Sequence, residues 1–137
     1  MEISLSFFDG NESILDKSFS YLISLIGYRD QLRINHWQTI SYAEHKLTDE
    51  AISIISEYID KIGEAVLGIL GRPKINTREN SISDISICST EYTLKCICDL
   101  NKEMISVFKE TEYEGIFSLL GELEAEINKF TYLSTLK

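Results

Sequence analysis

The chain has 137 residues, of which 44% are hydrophobic, and its net charge is −9 from 22 acidic and 13 basic residues. This length suits one domain with one hydrophobic core. The acidic balance and the lack of a basic tail argue against binding to nucleic-acid phosphates. No apolar run reaches the length needed to span a membrane, and the first four residues lack the basic start of a secretory signal. We therefore expect a cytoplasmic protein.

The cysteine pattern argues against a disulfide framework. The three cysteines are Cys88, Cys96 and Cys98, an odd number without a C-x-x-C pair. Cys96 and Cys98 would point about 200° apart on a helix, so they cannot share a ligand. We predict reduced, mostly buried thiols.

The first half of the chain predicts two long helices. The first follows the turn signal at 9–11 and runs to about His36 or Trp37. The second begins at a capping box formed by Ser41 and Glu44, ends before the glycine–proline signal at 71–73, and spans about 42–70. Because the connection is very short, these helices must be antiparallel neighbours. Their predicted core-facing residues are Leu15, Phe19, Leu22, Leu25, Ile26, Leu32, Leu47, Ile54, Ile55, Tyr58, Ile62, Val66 and Ile69.

The second half predicts two more helices after a polar connection at 74–90. The third helix is expected over about 91–110. The fourth begins at a second capping box, Thr111 to Glu114, and runs nearly to the end, with a buried stripe of Phe117, Leu120, Leu123, Ile127, Phe130 and Leu133. The expected fold is all-α: one domain over 1–137, a four-helix bundle with a long crossover between helices 2 and 3, as in ferritin-like folds.

Both histidines and three carboxylates form a candidate metal constellation. On the second helix His45 and Asp49 are one turn apart, as are Asp60 and Glu64, and the two pairs share one stripe. His36 lies across the short turn, within reach of the His45 end. Imidazole and carboxylate groups are ligands for Fe(II), Mn(II) and Zn(II).

One chain cannot close this constellation around a single ion. His45 and Asp60 are separated by about 22 Å along the helix axis, whereas metal–ligand bonds are about 2 Å long. A second, antiparallel copy would bring its Asp60 and Glu64 to the His36, His45 and Asp49 of the first copy. The sequence therefore predicts an isologous dimer with two equivalent sites.

This pattern resembles the Dps family of mini-ferritins: His-Trp at the end of helix 1, His-x3-Asp early in helix 2, then Asp-x3-Glu. The stretch from His36 to Lys46 is closer still to small ferritin-like proteins of tailed phages. The resemblance implies a ferroxidase centre between two-fold-related chains, with His36 and His45 as ligands, Asp49 as a ligand or water-holder, Asp60 and a bridging Glu64 from the partner, and Trp37 beside the site. It also implies a dodecamer as the family's usual assembly.

Two functions from different classes follow. The first is a Dps-like protein that binds Fe(II), oxidises it with peroxide or O₂ and stores it, with Mn or Zn as other metals that suit the ligands. The alternative is a structural or virion-associated ferritin-like oligomer without ferroxidase activity, acting in the host cytoplasm or the virion. In that alternative His45 merely caps the helix or pairs with Glu44 or Asp49. We interpret Trp37 as a core residue rather than an electron carrier.

Overall fold

The computed structural model describes residues 13–73 and 88–136, and its regular structure in these ranges is entirely α-helical. The four helices are α1 (Ile14–Gln38), α2 (Tyr42–Leu70), α3 (Thr90–Phe108) and α4 (Glu114–Leu133). The predicted all-α, four-helix architecture is thus confirmed, and α2 has the predicted bounds. No helix within the described ranges is long and apolar enough to cross a membrane.

Serine caps determine where three of the helices begin. The hydroxyls of Ser13, Ser41 and Ser89 each accept a hydrogen bond from the amide three residues later, which satisfies one exposed donor of the first turn. The turn signal predicted at 9–11 lies outside the described residues.

The capping box predicted for α4 is wrong. The N-cap is Tyr113, which makes no side-chain cap. The Thr111 hydroxyl instead donates to the Phe108 carbonyl at 2.8 Å and accepts from the Tyr113 amide at 3.3 Å. Because this hydroxyl closes the end of α3, α4 starts two residues later than a Thr111 N-cap predicts.

The helices form a bundle in which α1 packs against α2 and α3, and α4 packs against the same two helices. The Thr90 hydroxyl at the start of α3 donates to Glu44 at the start of α2, at 2.6 Å, and accepts from Asn35 near the end of α1, at 3.2 Å. Helices α2 and α3 therefore run in the same direction. The end of α2 and the start of α3 therefore lie at opposite ends of the bundle, as the predicted crossover requires.

Most of the predicted core is buried, but Phe19 and Ile26 of α1 are only half-buried, and two other predicted core residues are exposed. Leu22, Leu25 and Leu32 of α1 are in the core together with the central residues of α2, α3 and α4. Ile69 is 50% exposed and Phe117 is 39% exposed, contrary to prediction. Both lie in a terminal turn of their helix, where the neighbouring helices cover less of the surface.

The three cysteines are half-buried, so their burial is less complete than expected.

A polar pair lies at the centre of the core. The Tyr21 hydroxyl donates to Asn101 Oδ1 at 2.6 Å, and Asn101 Nδ2 donates to the Leu120 carbonyl at 2.9 Å. Tyr21 and Asn101 are both fully buried. This chain of hydrogen bonds joins α1, α3 and α4, and burial raises the pKa of Tyr21 far above its usual range.

Candidate metal site

The α1–α2 hairpin is held closed by hydrogen bonds around Glu44. The Glu44 amide donates to the Ser41 hydroxyl at 3.2 Å, which confirms one half of the predicted capping box. The Glu44 carboxylate does not return to the Ser41 amide, because it accepts from the hydroxyls of Thr39 at 2.5 Å and Thr90 at 2.6 Å. Glu44 therefore ties the hairpin to the start of α3.

The hairpin brings the two histidines into direct contact. Their rings stack with centroids 3.9 Å apart and planes inclined by 19°. His36 Nδ1 lies 2.9 Å from the His45 carbonyl, and His45 Nδ1 lies 3.1 Å from the His36 carbonyl. Because a carbonyl only accepts, we infer that both Nδ1 atoms carry the proton. The lone pair of each ring is then on Nε2, the atom available to a metal.

Thr48 supports this tautomer from the next turn of α2. Its hydroxyl lies 3.1 Å from His36 Nδ1 and donates to the Glu44 carbonyl at 2.8 Å. Since the Thr48 proton is used on that carbonyl, its oxygen can accept a second hydrogen bond from His36. Thr48 is fully buried, so it holds the imidazole of His36 from the core side.

The stacked rings do not point at a common ion. A metal binds a lone pair in the plane of the imidazole, and planes inclined by 19° with centroids 3.9 Å apart meet only about 10 Å away. Binding of one ion by both histidines thus requires one ring to turn. Rotating that ring breaks its hydrogen bond to a carbonyl, which costs about 1 kcal/mol.

The three predicted carboxylate ligands, Asp49, Asp60 and Glu64, are all exposed on α2. In the described part of the chain none of them has a hydrogen bond or ion pair. No three His, Cys, Asp or Glu side chains among residues 13–73 and 88–136 are close enough to hold a metal ion. The structure therefore brings together His36 and His45 but not the Asp60 and Glu64 end, and the site shared between two chains stays a prediction.

The interpretation of Trp37 as a core residue is wrong. Trp37 is 70% exposed, because Asn35 and His36 face inward and Trp37 lies on the other side of the last turn of α1. His45 pairs with neither Glu44 nor Asp49, and its Nδ1 instead donates to the His36 carbonyl in the last turn of α1, as a capping side chain does. Ile40 and Tyr42 are exposed beside Trp37, so the hairpin carries an apolar surface next to the histidines.

Sequence reasoning missed the residues that support the histidines. Thr48 follows His45 by three residues, a helical spacing that could have indicated contact. The pairing of Glu44 with Thr90 spans 46 residues and has no local signal. The contact of Arg29 Nη1 in α1 with Ser56 Oγ in α2, at 3.4 Å, likewise has no local signal.

Comparison with known proteins finds a phage protein similar to this chain. It is 31% identical over 121 residues, 88% of this chain and 90% of the relative, to the "Uncharacterized 14.6 kDa protein in mobD-ri intergenic region" of Enterobacteria phage T4. No solved structure matches. Residues 36–133 match a family described as being of unknown function, and this match begins at His36 and includes all five candidate ligands. The chain belongs to the DUF5856 family.

Proposed function

We propose that the protein is a Dps-like, ferritin-like iron-binding protein that oxidises Fe(II) at a site shared between two chains. The observation that carries the proposal is the histidine pair: both Nδ1 atoms are bound to backbone carbonyls, and this leaves both Nε2 lone pairs for a metal. Metal-binding histidines are typically oriented in this way, by a hydrogen bond from the other ring nitrogen to a carbonyl or carboxylate.

The carboxylates of α2 supply the remaining ligand types. Asp49, Asp60 and Glu64 are exposed and have no partner in the described part of the chain, so no intramolecular hydrogen bond has to break before they bind a cation. The pair His45 and Glu64 and the pair Asp49 and Asp60 are centred on the same point of α2. A two-fold axis at that midpoint places each ligand of one copy opposite a ligand of the other.

This ligand set suits iron oxidation. Imidazole holds Fe(II), while carboxylates stabilise Fe(III) more strongly, so oxidation is favoured where both are present. Two Fe(II) ions give one electron each to hydrogen peroxide, and two protons complete the two water molecules formed. Storage of the ferric product requires a closed shell, for which a dodecamer is the family precedent. Mn(II) and Zn(II) suit the same ligands.

A second candidate function is a structural oligomer, in the host cytoplasm or in a virion, without ferroxidase activity. The observation that favours it is the apolar hairpin surface, where Trp37 is 70%, Ile40 104% and Tyr42 75% exposed. Such a surface suits contact with another protein. The T4 relative supports a phage setting for both candidates.

Aerobic addition of Fe(II) separates the two candidates. The unmodified protein should raise ferric absorbance faster than buffer, and His45→Ala and Glu64→Ala should each remove that excess while far-UV circular dichroism stays helical. Glu50→Ala is the matched control, since Glu50 is exposed on α2 but outside the stripe of ligands. Its rate should equal that of the unmodified protein.

Mixing the two inactive variants tests whether the site is shared. A heterodimer of His45→Ala and Glu64→Ala chains retains one site in which every ligand is present. Partial recovery is expected once subunit exchange is shown by mass spectrometry. Exchange without recovery would contradict the shared site, and a parent protein that never outpaces buffer would leave the structural oligomer as the function.

A further inference from the structure

The end of the bundle at which α2 and α3 begin and α4 ends contains a cavity whose lining includes neither histidine. Its volume is about 300 Å³. Since one water molecule takes about 30 Å³ in the liquid, the cavity has room for a molecule of about ten non-hydrogen atoms. This volume lies at the lower end of the range found for ligand sites, so the cavity suits a small molecule.

The lining of the cavity combines carboxylates with aliphatic side chains. Glu44 of α2 and Glu91 of α3 supply the carboxylates, and no Lys, Arg or His is among the described residues that line it. The aliphatic part of the lining consists of Ala43, Leu47, Leu133 and Leu136. A ligand that fits this lining has an apolar stem and a polar group that a carboxylate can bind.

The carboxylate of Glu44 is half-buried, and no basic side chain in the described part of the chain neutralises it. It accepts hydrogen bonds from the hydroxyls of Thr39 and Thr90, which are neutral donors. These two bonds use two of the roughly four lone-pair positions of a carboxylate. The remaining positions favour a donor that carries a positive charge, since charge-assisted hydrogen bonds are about twice as strong as neutral ones.

The sign of the charge at the cavity follows from its carboxylates and from the helix ends around it. Glu44 and Glu91 carry one negative charge each. The N-termini of α2 and α3 each act like about half a positive charge, and the C-terminus of α4 acts like about half a negative charge. The helix ends thus offset less than one of the two carboxylates, so the cavity favours a cation.

We propose that this cavity binds a small aliphatic amine as its ammonium ion. The ammonium group donates to the Glu44 carboxylate, Glu91 supplies the second negative charge, and the hydrocarbon stem packs against Leu47, Leu133 and Leu136. Each methylene group that leaves water favours binding, so affinity rises with the length of the stem until the cavity is full. An inorganic cation gains nothing from the leucines, and no three His, Cys, Asp or Glu side chains in residues 13–73 and 88–136 are close enough to hold one.

Amide NMR spectra of the full-length protein test the class of ligand and its place. We expect n-pentylammonium chloride, exchanged for sodium chloride at constant ionic strength, to shift the amide signals of Ala43, Glu91 and Ser134 until they saturate. Pentan-1-ol has the same stem without the charge, and pentanoate carries the opposite charge, so both should shift these signals much less. Equal shifts by pentan-1-ol, or pentylammonium shifts that do not saturate at the cavity, would overturn the proposal.

Removal of one charge tests the carboxylates. Glu91→Gln should weaken the binding of n-pentylammonium about two- to five-fold, the range expected for an exposed ion pair. Glu114→Gln is the matched control, since Glu114 is an exposed glutamate in the first turn of α4, at the other end of the bundle, and its affinity should equal that of the parent. Equal affinities of Glu91→Gln and the parent would overturn the charge preference.

Removal of one apolar contact tests the stem. Leu136 is 53% exposed, so Leu136→Ala should fold like the parent, but its affinity for n-pentylammonium should fall while its affinity for methylammonium stays unchanged. Leu67→Ala, at a 39% exposed position near the other end of the bundle, should keep the parent affinity for both ions. If the parent binds methylammonium as tightly as n-pentylammonium, the leucines have no role and the proposal fails.

Discussion

The Tyr21–Asn101 pair and the exposed carboxylates Asp49, Asp60 and Glu64 of α2 (the α2 stripe) are both polar features of long helices, but their surroundings differ completely. Tyr21 and Asn101 are fully buried, and their side-chain hydrogen bonds connect three helices. The carboxylates of the α2 stripe are exposed and have no partner among the described residues. The first feature is satisfied within one chain, whereas the second has no partner among residues 13–73 and 88–136 and is open to water, a cation or another chain.

This difference separates what stabilises the bundle from what is available for binding. Loss of one partner from a buried hydrogen-bonded pair leaves a polar group without water, which costs about 1–3 kcal/mol. Loss of an exposed carboxylate costs little, since water solvates both states. We therefore expect substitutions at Asn101 to affect folding and substitutions in the α2 stripe to affect association and metal binding.

The largest effect on stability is expected for Asn101→Ala. It leaves the Tyr21 hydroxyl without its acceptor, removes a donor to the Leu120 carbonyl, and opens a small cavity. The free energy of unfolding, measured with urea, should fall by about 3 kcal/mol. Asn128→Ala, on the exposed face of α4, should change it by less than about 0.5 kcal/mol. Equal losses for the two would show that the buried pair has no special role.

A smaller loss is expected for Glu44→Ala at the hairpin. The variant deprives the hydroxyls of Thr39 and Thr90 of a charged acceptor, and the unfolding free energy should fall by about 2 kcal/mol. Glu50→Ala, at an exposed position of the same helix, should cost less than about 0.5 kcal/mol. A negligible effect of Glu44→Ala would mean that water replaces the carboxylate at the bundle end.

Alkaline pH should reveal the burial of Tyr21. Burial raises the pKa of Tyr21, so above the ordinary tyrosine pKa of about 10 only the unfolded chain loses this proton. The contribution of Tyr21 to the free energy of unfolding is complete below about pH 10 and falls by about 1.4 kcal/mol per pH unit above it. The free energy of unfolding is measured between about pH 10 and about pH 11. Tyr21→Phe should remove the contribution of Tyr21 to its fall with pH, whereas Tyr132→Phe, at an exposed position, should leave the fall as in the parent.

The fold was largely predictable from local signals. Helix α2 has a serine cap at one end and the glycine at 71, with its positive φ of 92°, at the other, and these signals gave its bounds. The buried stripes follow from periodicity. Terminal turns were mispredicted at Ile69 and Phe117, because periodicity gives the face of a residue but not how far the neighbouring helices extend.

The candidate site was less predictable because its geometry depends on contacts distant in sequence. Residue types and spacing identified His36, His45 and the carboxylates of α2. They did not reveal that the rings stack, that both Nδ1 atoms bind carbonyls, or that Glu44 bonds Thr90. These features require the hairpin to fold back and α3 to begin beside it. The ligands from a second chain depend on an interface that no single-chain pattern determines.

The smallest effect on stability is expected for Asp60→Asn. Asp60 is exposed and unpartnered in the described part of the chain, so in the presence of a chelator its replacement should change the unfolding free energy by less than about 0.5 kcal/mol. Zn(II), which does not react with O₂, should raise the unfolding temperature of the parent because it binds the folded protein. The variant should lose most of that rise, while Glu50→Gln should retain it. If Asp60→Asn keeps the full rise, Asp60 is not a ligand; if it unfolds readily without metal, the carboxylate stabilises the fold and the distinction between the buried pair and the α2 stripe fails.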